Sequence, residues 1–236
     1  MNHTRNTLIA SACLIIAMLA LGLSLSQGLL QMKSLDRTVE VKGLSEREVP
    51  ADTVIWPIAF QDASNELGDL YNSLQAKNAQ VREFLLKQDI QPDEISVSPP
   101  AITDLQAQNY VSERAAFRYT ASSTVTVYST RVEVVRAAMG QAIELSREGV
   151  AVTGQNYQAQ PQFLFNGLNQ IKPEMIEEAT RNAREVGEKF AQDSDSKLGK
   201  IRTARQGQFS INDRDSTTAH IKRVRVVSTV EYYLAD

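Results

Sequence analysis

The most constraining feature of this chain is a run from Asn6 to Met32 without one charged side chain, in which Leu8 to Leu25 is apolar except for Ser11, Gly22 and Ser24. At a rise of about 1.5 Å per residue, a helix over that run reaches most of the way across a hydrocarbon core of about 30 Å. From Lys33 onward the sequence is charged and patterned, as a water-exposed domain is. Two readings compete. A cleaved secretory signal would use Arg5 and the α-amino group as a basic flank and end near Ser24-Leu25-Ser26. An uncleaved anchor would account for the length of the run, the missing Ala-x-Ala and the apolar continuation Gly28-Leu29-Leu30. The anchor is preferred, and both readings export the remainder of the chain. The flanking charges are nearly balanced, Arg5 and the amine against Lys33 and Arg37, so they do not fix orientation. A lipoprotein reading of Ala10-Ser11-Ala12-Cys13 fails because most of the apolar run lies after the cysteine.

The division is thus an N-terminal signal-anchor, residues 1–35 with its apolar part at 8–30, and an exported domain over 36–236. About 200 residues suffice for a core without staples. Cys13 is the only cysteine, so the exported part can form no disulfide, thiolate nucleophile or cysteine-based zinc site. A net charge of −3 provides no field to recruit nucleic acid, and no nucleic-acid partner is expected.

The hydrophobic periodicity divides the exported part into strands and helices. Thr38–Leu44 alternates at period two, and Val54–Phe60 is a short β-branched run in which Pro57 asks for an edge or a bulge. A helix spans about Ser64 to Gln88, with Asp62 or Ser64 as its cap. Strands are expected at Ile95–Ser98 and Phe117–Tyr128, separated by the polar loop Asp104–Glu113. A second helix, about Arg131 to Arg147, is stopped by Gly149. Val150–Phe165 is a strand. Pro173 then opens a third helix at its favoured first position, with Ile176, Ala179, Ala183, Val186 and Phe190 as its apolar face and Glu177–Arg181 and Glu185–Lys189 as supporting pairs. Ile201–Ile211 and Ile221–Leu234 close the domain around the loop Asn212–Ala219. The order ββαββαβαββ is an α+β fold, mostly antiparallel, with three helices packed on one face of the sheet or sheets.

Chemistry is harder to find. An EF-hand loop starting at Asp193 would need Gly at Leu198 and Glu at Ala204, and both fail; Asn212-Asp213-Arg214-Asp215 offers a second acidic pair, and solvated loop and helix-end charges account for both. His3 and His220 are the two histidines, which gives no pair for a metal and no base beside a nucleophile. Ser194-Asp-Ser-Lys197 spells a Ser-x-x-Lys signature but falls at a polar helix end. Lys222-Arg223-Val224-Arg225 reads as the solvent face of the last strand, where cations discourage edge pairing, with a subunit interface as the alternative. Tyr110, Phe117, Tyr119, Tyr157, Phe163 and Phe165 read as core, with a subunit contact as the alternative. No catalytic, cofactor-binding or metal residue is nominated; an enzyme would need carboxylates such as Asp52 or Glu113 to converge in a pocket. A binding module for a peptide, glycan or partner protein would instead place an apolar concavity near Asp104–Glu113.

Val41–Asp52, Phe117–Val127 with the Arg131 helix, and Glu178–Ala183 through Leu198-Gly-Lys-Ile201, taken in that order, resemble the SIMPL domain family of bacterial envelope proteins, which includes periplasmic immunogenic proteins. Val41–Asp52 is similar to the family's opening strand, its glycine–small–Val turn and its Pro-Asp junction, here split as Pro50-Ala51-Asp52. Phe117–Val127 followed by the Arg131 helix is similar to its mid-domain strand and helix. Glu178–Ala183 through Leu198-Gly-Lys-Ile201 is similar to its alanine-rich third helix ending in Leu-Gly, though more charged here. The resemblance spans roughly residues 38 to 235. It implies an α+β fold, a place in the periplasm or at the envelope, ring- or channel-like assembly as in some members, and a link to oxidative-stress tolerance. It carries over no enzymatic residues. The expectation is a single-pass inner-membrane protein, held through residues 8–30, whose periplasmic domain forms a homo-oligomer without a cofactor.

Overall fold

The computed structural model describes residues 16, 18–26, 37–107, 116–152 and 160–235. In chain order these form helix α1, described over 18–26, β1 (Thr38–Pro50), β2 (Thr53–Ser64), α2 (Leu67–Lys87), a 3-10 turn at Pro92–Glu94, β3 (Ile95–Val97), β4 (Ala101–Asp104), a 3-10 turn at Leu105–Ala107, β5 (Tyr119–Ser129), α3 (Val132–Gln141), α4 (Ile143–Arg147), β6 (Gln162–Leu164), α5 (Leu168–Asp193), β7 (Lys197–Gln206), β8 (Ser210–Asp213) and β9 (Ile221–Ala235). The architecture is mixed α and β with antiparallel sheets. The described residues divide into two compact units. One gathers residues up to Arg47, Ile171–Ser210 and those from Arg225 on; the other gathers Glu48–Gln170 and Ile211–Val224.

In the second unit β2 and β5 pair antiparallel from Val54 opposite Ser129 to Ser64 opposite Tyr119. The alternation puts Val54, Trp56, Ile58 and Phe60 on the same side as Ala121, Val125 and Val127, and there they pack against Leu70, Leu74, Val81 and Leu85 of α2, Val135 and Ala138 of α3, and Leu145 of α4. Pro57 lies beyond the residues that β6 pairs, Thr53 to Ile55, so its missing N–H breaks no ladder. Polar side chains fix α2 on this sheet. Asp62 takes the Lys77 ammonium at 2.7 Å and the Ser73 hydroxyl, and Ser123 donates to Asn78 at 3.0 Å. Burial works to raise the Asp62 carboxyl, but Lys77, Ser73 and the Ala63 amide outweigh it and leave it below its ordinary value. Asp62 is therefore no cap for α2. That position belongs to Glu66, without a side-chain cap, while the Ser64 hydroxyl accepts from the Glu66 amide at 3.1 Å.

The expected order ββαββαβαββ and its three helices need correction. The edge of the β2–β5 sheet is two strands, β3 and β4, because Pro99-Pro100 cannot donate to the ladder with β5. The helix expected over Arg131–Arg147 is α3 and α4, joined through Ala142 by the i→i+3 bonds Ala142 N→Met139 O and Leu145 N→Ala142 O; Gly140, a weak helix former, precedes the break. Gly149 terminates α4 at φ +90°. The strand expected over Ile201–Ile211 is β7 and β8, interrupted at 207–209, beginning with Gly207, where a Cβ would stand 2.7 Å from the Val227 carbonyl oxygen. Of Val150–Phe165, Val152 forms an isolated bridge with Phe60, Gln162–Leu164 form β6, and 153–159 lie outside the described residues.

In the first unit β1 and β7 flank β9, and α5 covers one face of these strands. The glycine at position 43 is no turn; it sits within β1. A Cβ there would stand 1.8 Å from the Ala179 carbonyl oxygen and 2.4 Å from the Ala183 nitrogen, so helix and strand meet backbone to backbone. Val41, Ala183, Val230 and Tyr232 form the core. Above and below, the Ser45 hydroxyl donates to Glu178 at 2.9 Å, Arg47 pairs with Glu174 at 2.9 Å, and the Asn182 amide donates to the Leu44 carbonyl at 2.8 Å.

Close approach also turns α5 about its axis. Its buried residues are Met175, Ala179, Ala183, Gly187 and Ala191, while Val186 and Phe190, expected in the core, are exposed, Phe190 by 54%. Pro173 is not the first residue of α5 but lies inside it. Among the described residues neither Glu177–Arg181 nor Glu185–Lys189 forms an ion pair; Arg184–Glu188 does, at 3.2 Å.

Candidate functional site

Asp52, between β1 and β2, is the carboxylate that sequence reasoning singles out and the structure can place. Its Oδ2 accepts the amides of Asn166 at 2.7 Å and Gly167 at 3.0 Å, just ahead of Leu168, the first residue of α5. Its Oδ1 accepts the Asn166 side-chain amide at 2.9 Å and the Thr53 hydroxyl at 2.9 Å. The Asp52 amide donates to Leu164 O at 2.9 Å and that of Ala51 to His220 O at 2.8 Å. A carboxylate with four donors is a cap supplied from another part of the chain: it takes up the two backbone amides that immediately precede Leu168 and complements the positive end of the helix dipole. This explains why α5 begins before Pro173. The group is committed to these hydrogen bonds. Glu113, its imagined partner, lies outside the described residues, as does most of the loop Asp104–Glu113.

A second charged cluster holds the turn after α2. Gln91 and Glu94 form a reciprocal capping box. Glu94 also receives the Ser129 hydroxyl at 2.6 Å and the Arg131 guanidinium at 2.6 Å, and Arg131 reaches the Asp89 carbonyl at 2.7 Å. The Arg131 guanidinium, helped by Ser129 and the Gln91 amide, brings the Glu94 carboxyl down to about 2 against the burial that would raise it. An open, mostly apolar cavity of about 340 Å³ adjoins Arg131, with Pro50, Ala51, Val132 and Val134 in its lining; the charged network itself is a pin between β3 and the start of α3.

The other expected features resolve locally. The Ser194 hydroxyl donates to the Phe190 and Ala191 carbonyls, and Asp195 adopts φ +51°, so Ser194–Lys197 is the turn that ends α5. Asp215 closes a turn on Thr217 and Thr218, whose hydrogen bonds, that of the Thr218 hydroxyl foremost, hold its carboxyl well below the usual range. Among the described residues no three His, Asp, Glu or Cys side chains group as metal ligands. Lys222 is not on the solvent face: it is buried and pairs with Asp213. The His220 ring stands edge-on to Phe163 at 6.1 Å. Phe117 is exposed, Tyr119 and Phe163 pack on the core, and Tyr110 and Tyr157 lie outside the described residues.

What sequence reasoning misses is the outward face of β1, β9 and β7. A polar cavity of about 430 Å³ opens there, lined by Glu40 and Lys42 of β1, Thr229 and Glu231 of β9, and Arg202, Thr203 and Arg205 of β7. Arg202 pairs with Glu231 at 2.9 Å, and the Thr203 hydroxyl donates to the same carboxylate at 3.1 Å. The Thr38 hydroxyl above all, with Thr203 and Arg202, holds the Glu231 carboxyl below its ordinary value. The signal is present as period-two alternation in three separate strands, but their neighbourhood is set by pairings distant in sequence. Of the strands beside this cavity, β1 and β7 each pair with β9 alone among the described residues. β7 carries Lys197, Lys200, Arg202 and Arg205 and no acid; β1 carries Glu40, Glu46 and Glu48 against Lys42 and Arg47.

Residues 39–230 match the model of a family described as SIMPL, protein of unknown function (DUF541). No curated protein matches the chain.

Proposed function

From its membership of the SIMPL family, to which this chain belongs, we propose that it is a non-enzymatic envelope protein, exported and tethered at the inner membrane through residues 8–30, whose domain assembles with further copies of itself. The observation that carries the assembly reading is the pair of open strand edges. A basic β7 against another β7 is repulsive, whereas β7 of one copy against the acidic-leaning β1 of the next is attractive. That pairing is heterologous and generates a ring or a filament, not a twofold dimer. Register shifts between Leu198 and Thr203 leave Thr203–Gln206 as the regular stretch of the β7 edge. Bulges and like charges of this kind also guard against indiscriminate pairing.

The tether reading rests on the composition of residues 8–30 and on α1, where Met18, Leu19, Leu21, Leu23 and Leu25 are all more than 60% exposed. No helix among the described residues is by itself long and apolar enough to cross a membrane, and most of the apolar run lies outside them. Tethering would raise the local concentration of an assembling domain. A part in oxidative-stress tolerance is the physiological role this proposal carries. Light scattering on the protein purified in detergent tests the assembly: multimers of defined mass are expected, and a strict monomer at high concentration removes it. The intact mass of the protein recovered from membranes tests the tether, which requires that residues 1–26 be retained.

A further inference from the structure

We infer that the cavity on the outward face of β1, β9 and β7 binds a phosphate-type oxyanion between Lys42 and Arg205, over the Thr229 hydroxyl. Three observations converge. Arg205 stands directly opposite Thr229 in the β7–β9 register, and Lys42 lines the same cavity from the strand on the other side of β9. With strands about 4.8 Å apart, two long cationic side chains rooted about 10 Å from each other can close on one small anion between them. Neither Lys42 nor Arg205 forms an ion pair or side-chain hydrogen bond with another described residue, whereas Arg202, their neighbour, is committed to Glu231 at 2.9 Å.

That commitment is what frees the site. Glu231 would otherwise repel an anion, and Arg202 and the Thr203 hydroxyl at 3.1 Å already occupy its oxygens. The remaining groups are two cations, one hydroxyl donor and the single carboxylate of Glu40. An arginine fork and a lysine point charge with a hydroxyl between them offer donors in more than one direction, which suits a tetrahedral oxyanion better than a planar carboxylate. Glu40, which also lines the cavity, can accept a hydrogen bond and so suits a ligand that carries a hydroxyl, either protonated phosphate or a phosphate monoester of a polyol.

Isothermal titration of the full-length protein in detergent, at ionic strength near 20 mM to limit screening, tests the site with two probes, inorganic phosphate and glycerol 1-phosphate. Saturable binding of at least one is expected, and the tighter of the two tells free phosphate from ester. Lys42→Gln and Arg205→Gln should each weaken it about tenfold or more, the loss of one charge-assisted contact. Lys200→Gln, on β7 but outside the cavity, should change it by less than about twofold. All three side chains are exposed, and circular dichroism checks that the variants fold. No saturable heat with either probe overturns the inference. So does a Lys200→Gln effect equal to that of Arg205→Gln, since the binding would then be a diffuse response to the charge of β7.

Discussion

The helix of one unit meets its strands through backbone, whereas the helices of the other meet their sheet through large side chains. Between α5 and β1 the facing residues are Gly43, Ala179 and Ala183, and charged or polar side chains, Ser45, Arg47 and Asn182, hold the margins. Between α2 and the β2–β5 sheet the facing residues are Ile58, Phe60, Leu70, Leu74, Val125 and Leu85. The two designs fail differently. A small-residue contact has no slack, because an added atom meets a carbonyl or an amide that cannot rotate away. A side-chain core instead loses transfer energy and gains a cavity when an atom is removed.

The largest effect should therefore come from the smallest residue. Gly43→Val should abolish the fold of the α5 unit, since even the first carbon of the new side chain would sit 1.8 Å from the Ala179 carbonyl oxygen. Hydrogen exchange should show β1, α5 and β9 unprotected. If the variant retains wild-type protection there, the backbone contact is not what holds the unit. Next comes Phe60→Ala in the other unit, where a fully buried ring gives way to a void. Urea unfolding should report a loss of about 3–5 kcal/mol. The sharper comparison is the exchange of roles: Gly187→Ala, whose new carbon would lie 3.2 Å from the mobile end of Leu198, should be far milder than any substitution at Gly43.

The two designs also differ in how much of them can be read from residue order. The α2 face is legible because Leu70, Leu74, Val81 and Leu85 recur at helical spacing and are all buried. The α5 face reads about one residue out of place around the helix. Val186 and Phe190 look like core by hydropathy, but the strand below comes too near to admit them, and Gly187 and Ala191 face it instead. Nothing local to α5 announces that nearness; the cause lies at Gly43. The same holds for Asp52, whose role as a cap depends on Asn166 and Gly167, more than a hundred residues away. Tertiary partners explain the early start of α5, the buried Lys222 and the cavity beneath Lys42 and Arg205. The split edge β3–β4 is the opposite case, since its cause, Pro99-Pro100, is local and stands in the sequence itself.

A smaller effect separates the units by acidity. Glu94 belongs to the α2 unit, and its carboxyl falls from 4.5 to about 2 in the folded protein. A carboxyl with a depressed value in the native state contributes stability that is fully present above its unfolded value and is lost as pH falls. The α2 unit should hold this contribution above about pH 4.5 and lose it between there and about pH 2. Arg131 is 34% exposed, so solvent screening limits the gain to about 1–2 kcal/mol. Glu94→Gln should remove that amount at pH 7 and change little at pH 2. Urea midpoints for both proteins across this range check it, and parallel curves would show that the ion pair adds nothing.

The smallest expected effect bears most directly on how α5 is turned. If α5 buries Ala179, Ala183, Gly187 and Ala191, then Val186 and Phe190 contribute little to folding, and the double variant Val186→Ser, Phe190→Ser should shift stability by no more than about 0.5 kcal/mol. If the helix were turned to bury the residues its hydropathy suggests, the same variant would cost several kcal/mol, since two apolar side chains would leave the core. The test has a second readout. An exposed Phe190 beside an exposed Val186 is an apolar patch on a helix that already fills its strand-facing side with small residues. Should the double variant keep its stability but lower the mass measured by light scattering, these side chains would join the β1 and β7 edges as subunit contacts. If both stability and mass stay unchanged, assembly is left to the strand edges alone.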